Sequence, residues 1–197
     1  MKLRPFAWAT IAAAAGTMAL ATAPVFAVQQ AKSRYSTIEL SKCSSSSKRA
    51  AGKQAWRCQG LPGYPLYVAI GQSRTSVSVG PRPEAHRAAK QSLGAANTLF
   101  DGKSPRSAIE WRFVIREKKT VPYATIVRYF TQDVRGRGEV VVVTRVADGE
   151  SCQVARIDAL ANPEAMVIAR EIADRKARTF DCRQEPAVIG ATGKSPM

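Results

Sequence analysis

From residue 110 to residue 159, apolar segments of strand length follow one another, separated by short polar turns. EWRFVIRE (110–117) alternates, pointing Trp111, Phe113 and Ile115 inward and Arg112 and Arg116 outward. VPYATIVRYF (121–130) returns across KKT, and the glycine-bearing QDVRGRG turns into EVVVVTRV (139–146). That run is apolar on both faces, as expected of a central strand covered on both sides. ADGE then leads into SCQVARIDA (151–159). Four consecutive strands with short connections predict an antiparallel β-meander.

The N-terminal half repeats the period on a smaller scale. RYSTIEL (34–40) and the short WRCQG (56–60) are strand candidates. In LYVAIG (66–71), Leu66, Val68 and Ile70 face one way and Tyr67 and Ala69 the other. GQSR connects it to TSVSVG (75–80), and the pair predicts a hairpin. Pro81 and Pro83 end that hairpin, and EAHRAAKQSL (84–93) is a short helix candidate. Residues 94–109 form a loop with Asp101-Gly102 and Ser104-Pro105 turn signals.

Near the C-terminus the period changes. Asn162 suits an N-cap, Pro163 the first helical position and Glu164 the positive end of the dipole. Ala165, Ile168, Ala169, Ile172 and Ala173 recur at helical spacing as a narrow apolar face. Arg170, Arg175, Lys176 and Arg178 lie mostly outside it. The predicted fold class is α+β: a mainly antiparallel sheet with the C-terminal helix packed on one face. Residues 186–197, PAVIGATGKSPM, are expected to be a disordered tail.

The first 27 residues change the picture of where this fold resides. Lys2 and Arg4 precede the apolar run AWATIAAAAGTMALATA, and Val25 and Ala27 occupy the −3 and −1 positions of a small-residue cleavage site. This is the layout of a secretory signal peptide, with cleavage expected before Val28. The run is Ala-rich and broken by Gly16 and Pro24, which weakens a membrane-anchor reading. No later segment is apolar enough to span a bilayer. The expected organisation is a signal peptide (1–27), one domain (28–185) and the tail, in a periplasmic or secreted protein.

Cysteine usage agrees with export. Cys43, Cys58, Cys152 and Cys182 allow three pairings, and proximity in sequence favours Cys43–Cys58 with Cys152–Cys182. In the chain-entropy description the first is worth ~3 kcal/mol and the second slightly more. A metal site needs close-set ligand pairs with histidines, and the chain has one histidine. No metal or cofactor is expected.

Charge narrows the partners. Lys and Arg total 30 against 15 Asp and Glu, and removal of Lys2 and Arg4 takes the net charge from +15 to +13. Such a balance favours anionic partners: lipid headgroups, lipopolysaccharide or acidic glycan. The stretch SKCSSSSKRAAGKQAWRC (41–58) carries Lys48, Arg49, Lys53 and Arg57 between two cysteines, and these four are the candidate binding residues. Trp56, Tyr64, Tyr67, Trp111, Tyr123 and Tyr129 add a possible aromatic-basic surface, although strand aromatics are more often core. No nucleic-acid module is present, so specific nucleic-acid binding is not expected.

Catalytic motifs are weak. GATGKS (190–195) lacks the glycine that a phosphate loop needs at position 188, which is Val188, and it sits in the tail. His86, between Ala85 and Arg87, reads as a surface or capping residue. Glu110, Asp101, Asp133, Glu139, Asp148 and Asp158 could supply an acid/base pair, but their spacing selects none. Asp158 is expected to be structural, pairing with an arginine.

WRCQGLPGYPLYVAIG, IEWRFVIRE with PYATIVRYF, and CQVARIDALANPEAMVIAREIADRKARTFDC together resemble a group of uncharacterised exported proteins of Gram-negative bacteria. The resemblance implies a shared fold and periplasmic export, and it brings no activity or functional residue with it. The expected function is a non-enzymatic envelope or binding protein that contacts an anionic partner. The alternatives are an inhibitor of a secreted enzyme, such as a lysozyme inhibitor, and a carboxylate-based hydrolase. Buried carboxylates in a cleft would favour the hydrolase, and an arginine-lined face would favour binding.

Overall fold

Period-two patterning yields eleven strands among residues 30–45 and 53–197, which are the residues described by the computed structural model. The first five are β1 (Lys32–Ile38), β2 (Ser44–Ser45), β3 (Gln54–Leu61), β4 (Tyr64–Gly71) and β5 (Arg74–Val79). Then come β6 (Ala96–Thr98), β7 (Ser107–Arg116), β8 (Lys119–Asp133), β9 (Gly136–Ala147), β10 (Glu150–Asp158) and β11 (Ala187–Ile189). Helix α1 (Ala165–Ile172) continues into a π-helical turn (Ala173–Ala177).

The predicted meander is present. Strands β7 to β10 pair antiparallel in sequence order, and β1 adds antiparallel to β7 on the outer side. On the other side β11 pairs parallel with β10, and β6 pairs with the far end of β8. A second sheet of order β2-β3-β4-β5 lies across one face of the large sheet. The helix lies across the other. This gives three layers.

Strand β9 shows why both faces close. Val140 and Val142 join a core shared with the small sheet, which includes Leu66, Val68, Val79, Ile109 and Trp111. Val141 and Val143 join a core shared with the helix, through Ala165, Ala169, Ile172 and Ala177. Gly60 permits the closest approach in the first core, since a Cβ there would meet the Tyr64 carbonyl at 2.1 Å and the Trp111 ring at 3.0 Å.

Several local expectations are corrected. Segment 84–93 forms two short 3₁₀ turns, Pro83–Ala85 and Arg87–Ala89, separated by an extended His86 (ψ 158°). Helix α1 begins at Ala165 after Glu164, and Asn162 makes no cap. Its amide donates to the Asp158 and Ala191 carbonyls and accepts from the Ala191 N–H, so the C-terminal segment has taken it over. That segment is ordered, contrary to the expected tail. The β7–β8 pairing skips Tyr123 between Arg112 and Phe113, and Ile115, expected inward, is exposed near the end of β7. Arg112 points away from the small sheet as expected, but the helix covers it and it is buried.

Both disulfides pair as predicted. Cys43–Cys58 joins the segment before β2 to β3, with a Cα separation of 4.5 Å. Cys152–Cys182 ties β10 to the chain just past the helix, with a Cα separation of 5.6 Å. Among the described residues, no helix is long and apolar enough to cross a membrane.

Candidate functional site

The predicted basic loop is only partly in view. Lys48 and Arg49 lie outside the described residues. Lys53 is exposed, and its stem lies so close to Gly71 that an added Cβ would approach it at 2.5 Å. Arg57 is also exposed but donates to Glu84 at 2.8 Å, so its charge is compensated. Lys53 and Arg57 therefore do not form a pair of free cations. The proposed aromatic surface is largely interior: Trp111, Tyr123 and Tyr129 are buried, while Trp56, Tyr64 and Tyr67 are half-buried.

The carboxylates are mostly engaged. Glu110 is 1% exposed and accepts from Ser33, from Tyr35 at 3.0 Å and from two nitrogens of Arg170 at 2.8 to 3.1 Å. Burial pushes its carboxyl up, but the hydrogen bonds from Arg170, Ser33 and Tyr35 outweigh burial and hold it below the usual range. Arg112 donates to both oxygens of Asp174, at 2.9 and 2.6 Å, and Tyr123 donates to the same group. These two pairs fasten the helix to the sheet. With both oxygens of Glu110 occupied and its carboxyl held ionised, it is unsuited to donate a proton as a general acid.

Asp158 was expected to pair with an arginine, and it does not. It is fully buried and accepts from the N–H groups of Leu160, Ala161, Lys194 and Ser195 and from the Ser195 hydroxyl, all within 2.6 to 3.1 Å. Burial raises its carboxyl, and the donors led by Ser195 more than offset that. The tail motif GATGKS thus wraps an anion after all, the protein's own carboxylate. Gly138 makes room, because a Cβ there would lie 2.6 Å from Ser195.

His86 is buried, which corrects a surface placement. Its Nδ1 lies 3.0 Å from the Val79 carbonyl and 3.2 Å from the Ser151 hydroxyl, which itself lies 2.9 Å from the Ser78 hydroxyl. Ser151 is fully buried, so no substrate reaches it as a nucleophile. The cluster links β5 to β10.

With this geometry in hand, comparison with known protein families, curated proteins and solved structures finds no match to the chain. Chemistry has to be read from the surface itself.

Exposed cations gather at the corner where β1 begins, β7 turns into β8 and the helix ends. Lys32 pairs in register with Phe113, three residues before Arg116, and Arg116 pairs with Lys119 across the Glu117-Lys118 turn. Both turn residues have positive φ (48° and 62°), as a two-residue hairpin of this twist demands. Arg178 stacks over Tyr123 at 4.1 Å, which brings the helix end with Arg175 and Lys176 to this corner. Lys32, Lys118, Lys119, Arg175 and Lys176 are exposed and make no ion pair among the described residues. Asp174 is already taken by Arg112. Sequence spacing hid this corner because its cations come from three distant segments.

A second surface feature lies at the opposite end of β8. An open groove of about 970 Å³ is lined by β5, β6, the end of β8 and the start of β9. Asp101 and Glu139 both line it. Asp101 accepts from the Lys103 and Ser104 N–H groups, which hold its carboxyl below the usual range, the opposite of what a general acid needs. Glu139 is paired with Arg128.

Proposed function

We propose that the protein is an exported, non-catalytic envelope protein whose cationic corner contacts an anionic partner. The observation that carries this reading is the group of exposed, unpaired cations on β1, the β7–β8 turn and the helix end, set against carboxylates that are largely spent internally. Glu117 is the one acid in that turn, and a net charge of +13 without Lys2 and Arg4 leaves the excess outside. Two disulfides are compatible with an oxidising compartment, in line with the signal-like N-terminus. The cations of the corner are exposed and their side chains long, so contact is electrostatic and broadly selective.

Such contact weakens as salt rises, because screening acts within about 8 Å in physiological salt. Co-sedimentation with vesicles containing phosphatidylglycerol, against phosphatidylcholine alone, tests the reading at low and at high salt. The expected outcome is salt-sensitive binding to the anionic vesicles only. Replacing Lys118, Lys119, Arg175 and Lys176 with glutamine should abolish it, whereas replacing Lys48, Arg49 and Lys53 with serine should weaken it less. If the loop variant loses binding and the corner variant keeps it, the contact belongs to the loop.

A further inference from the structure

We infer that the groove beyond β6 is a binding site for an acidic oligosaccharide. It lies eight residues along β8 from Tyr123, roughly 26 Å at strand rise, and is therefore separate from the cationic corner. The inference does not depend on the corner's function.

The lining carries the argument. Phe100 and Phe130 are half-buried and offer ring faces on which sugar C–H groups can lie. Ser73 and Gln132 are exposed and supply hydroxyl and amide groups that can both donate and accept, as sugar hydroxyls require.

Charge then selects the kind of sugar. Glu139 is neutralised by Arg128, and Asp101 is held by two backbone amides. Lys103 and Arg137 also line the groove and make no ion pair among the described residues. Two cations without side-chain partners, beside two occupied carboxylates, complement a chain bearing carboxylate groups. The arrangement is shaped for recognition and lacks a carboxyl poised as general acid. An open cleft of this size accepts several sugar units, and small-ligand pockets span about 300 to 1,000 Å³.

Calorimetric titration of the intact protein with tetragalacturonate tests this, alongside its fully methyl-esterified form and tetraglutamate. Tetragalacturonate should bind, with the methyl ester and tetraglutamate each at least about tenfold weaker. Arg137→Gln and Lys103→Gln should each weaken tetragalacturonate about fivefold. The corner variant that loses vesicle binding should bind tetragalacturonate unchanged, so failure of one reading is distinguishable from failure of the other. Absence of tetragalacturonate binding would overturn the site. So would equal binding of tetraglutamate, which would reduce the groove to a charge patch, or indifference to both Arg137→Gln and Lys103→Gln.

Discussion

The face of the large sheet under the small sheet is filled with large apolar side chains, among them Trp111, Ile109, Val127 and Tyr129. The face under the helix meets Ala165, Ala169, Ala173 and Ala177, and carries Glu110 and Arg112 within the contact. In the first interface, shape and hydrophobic area supply the cohesion. In the second, small residues let the helix approach closely but bury little area each, and two ion pairs with a disulfide make up the hold. The second interface therefore depends on carboxylates remaining ionised.

The largest effect should come from emptying the apolar interface. Trp111→Ala removes a fully buried indole and its hydrogen bond to the Ser36 hydroxyl, and should cost roughly 3–5 kcal/mol in urea unfolding. A loss below about 1 kcal/mol would mean that the two faces do not differ as described.

Next is the staple on the helix side. Replacing Cys152 and Cys182 together with alanine opens a loop of sequence separation 30 and should cost about 3.5 kcal/mol. Peptide mapping without reduction should show this pairing and Cys43–Cys58 in the parent protein.

Glu110→Gln sharpens the contrast through pH. Its carboxyl is held below the ordinary 4.5, so the unfolded chain binds the proton more readily. Its contribution is present above that ordinary value and is lost as pH falls through the lower, folded value. The substitution should cost roughly 2 kcal/mol at neutral pH, because Arg170 keeps some access to water. Parent and variant should converge as pH falls through that lower, folded value. Curves that stay parallel through the whole acid unfolding transition would remove Glu110 from the acid sensitivity of the helix face.

The smallest effect is expected at the tail. Ser195→Ala deletes one donor to Asp158 and should cost about 1 kcal/mol. Hydrogen exchange should rise first at the Lys194 and Ser195 amides, while the amides of β8 and β9 stay protected.

The meander was legible because alternation and turn glycines act between neighbours: each of β7 to β10 carries its own period, and each turn joins adjacent strands. The both-sided apolar character of Val140 to Val143 likewise announced a central strand. Both disulfides were favoured by proximity in sequence. By contrast, β6 has three residues and no pattern of its own, and residues 94–109 read simply as loop. The groove that β6 helps form was therefore invisible.

The sequence by itself determined the strand periods, the single C-terminal helix and the excess of cations. Tertiary structure alone decided which distant segments meet. It placed β1 beside β7, laid β11 parallel to β10, and set the small sheet and the helix on opposite faces. It also reassigned polar side chains whose role depends on which backbone arrives. Asn162 became an anchor for Ala191 instead of a helix cap, and Asp158 took backbone N–H groups instead of an arginine. Arg112 found Asp174 under the helix instead of solvent. Apolar periodicity is written locally because every strand must bury one face, whatever covers it. A hydrogen bond between residues far apart in the chain leaves no such local trace, since either partner is equally content with water until the fold removes it.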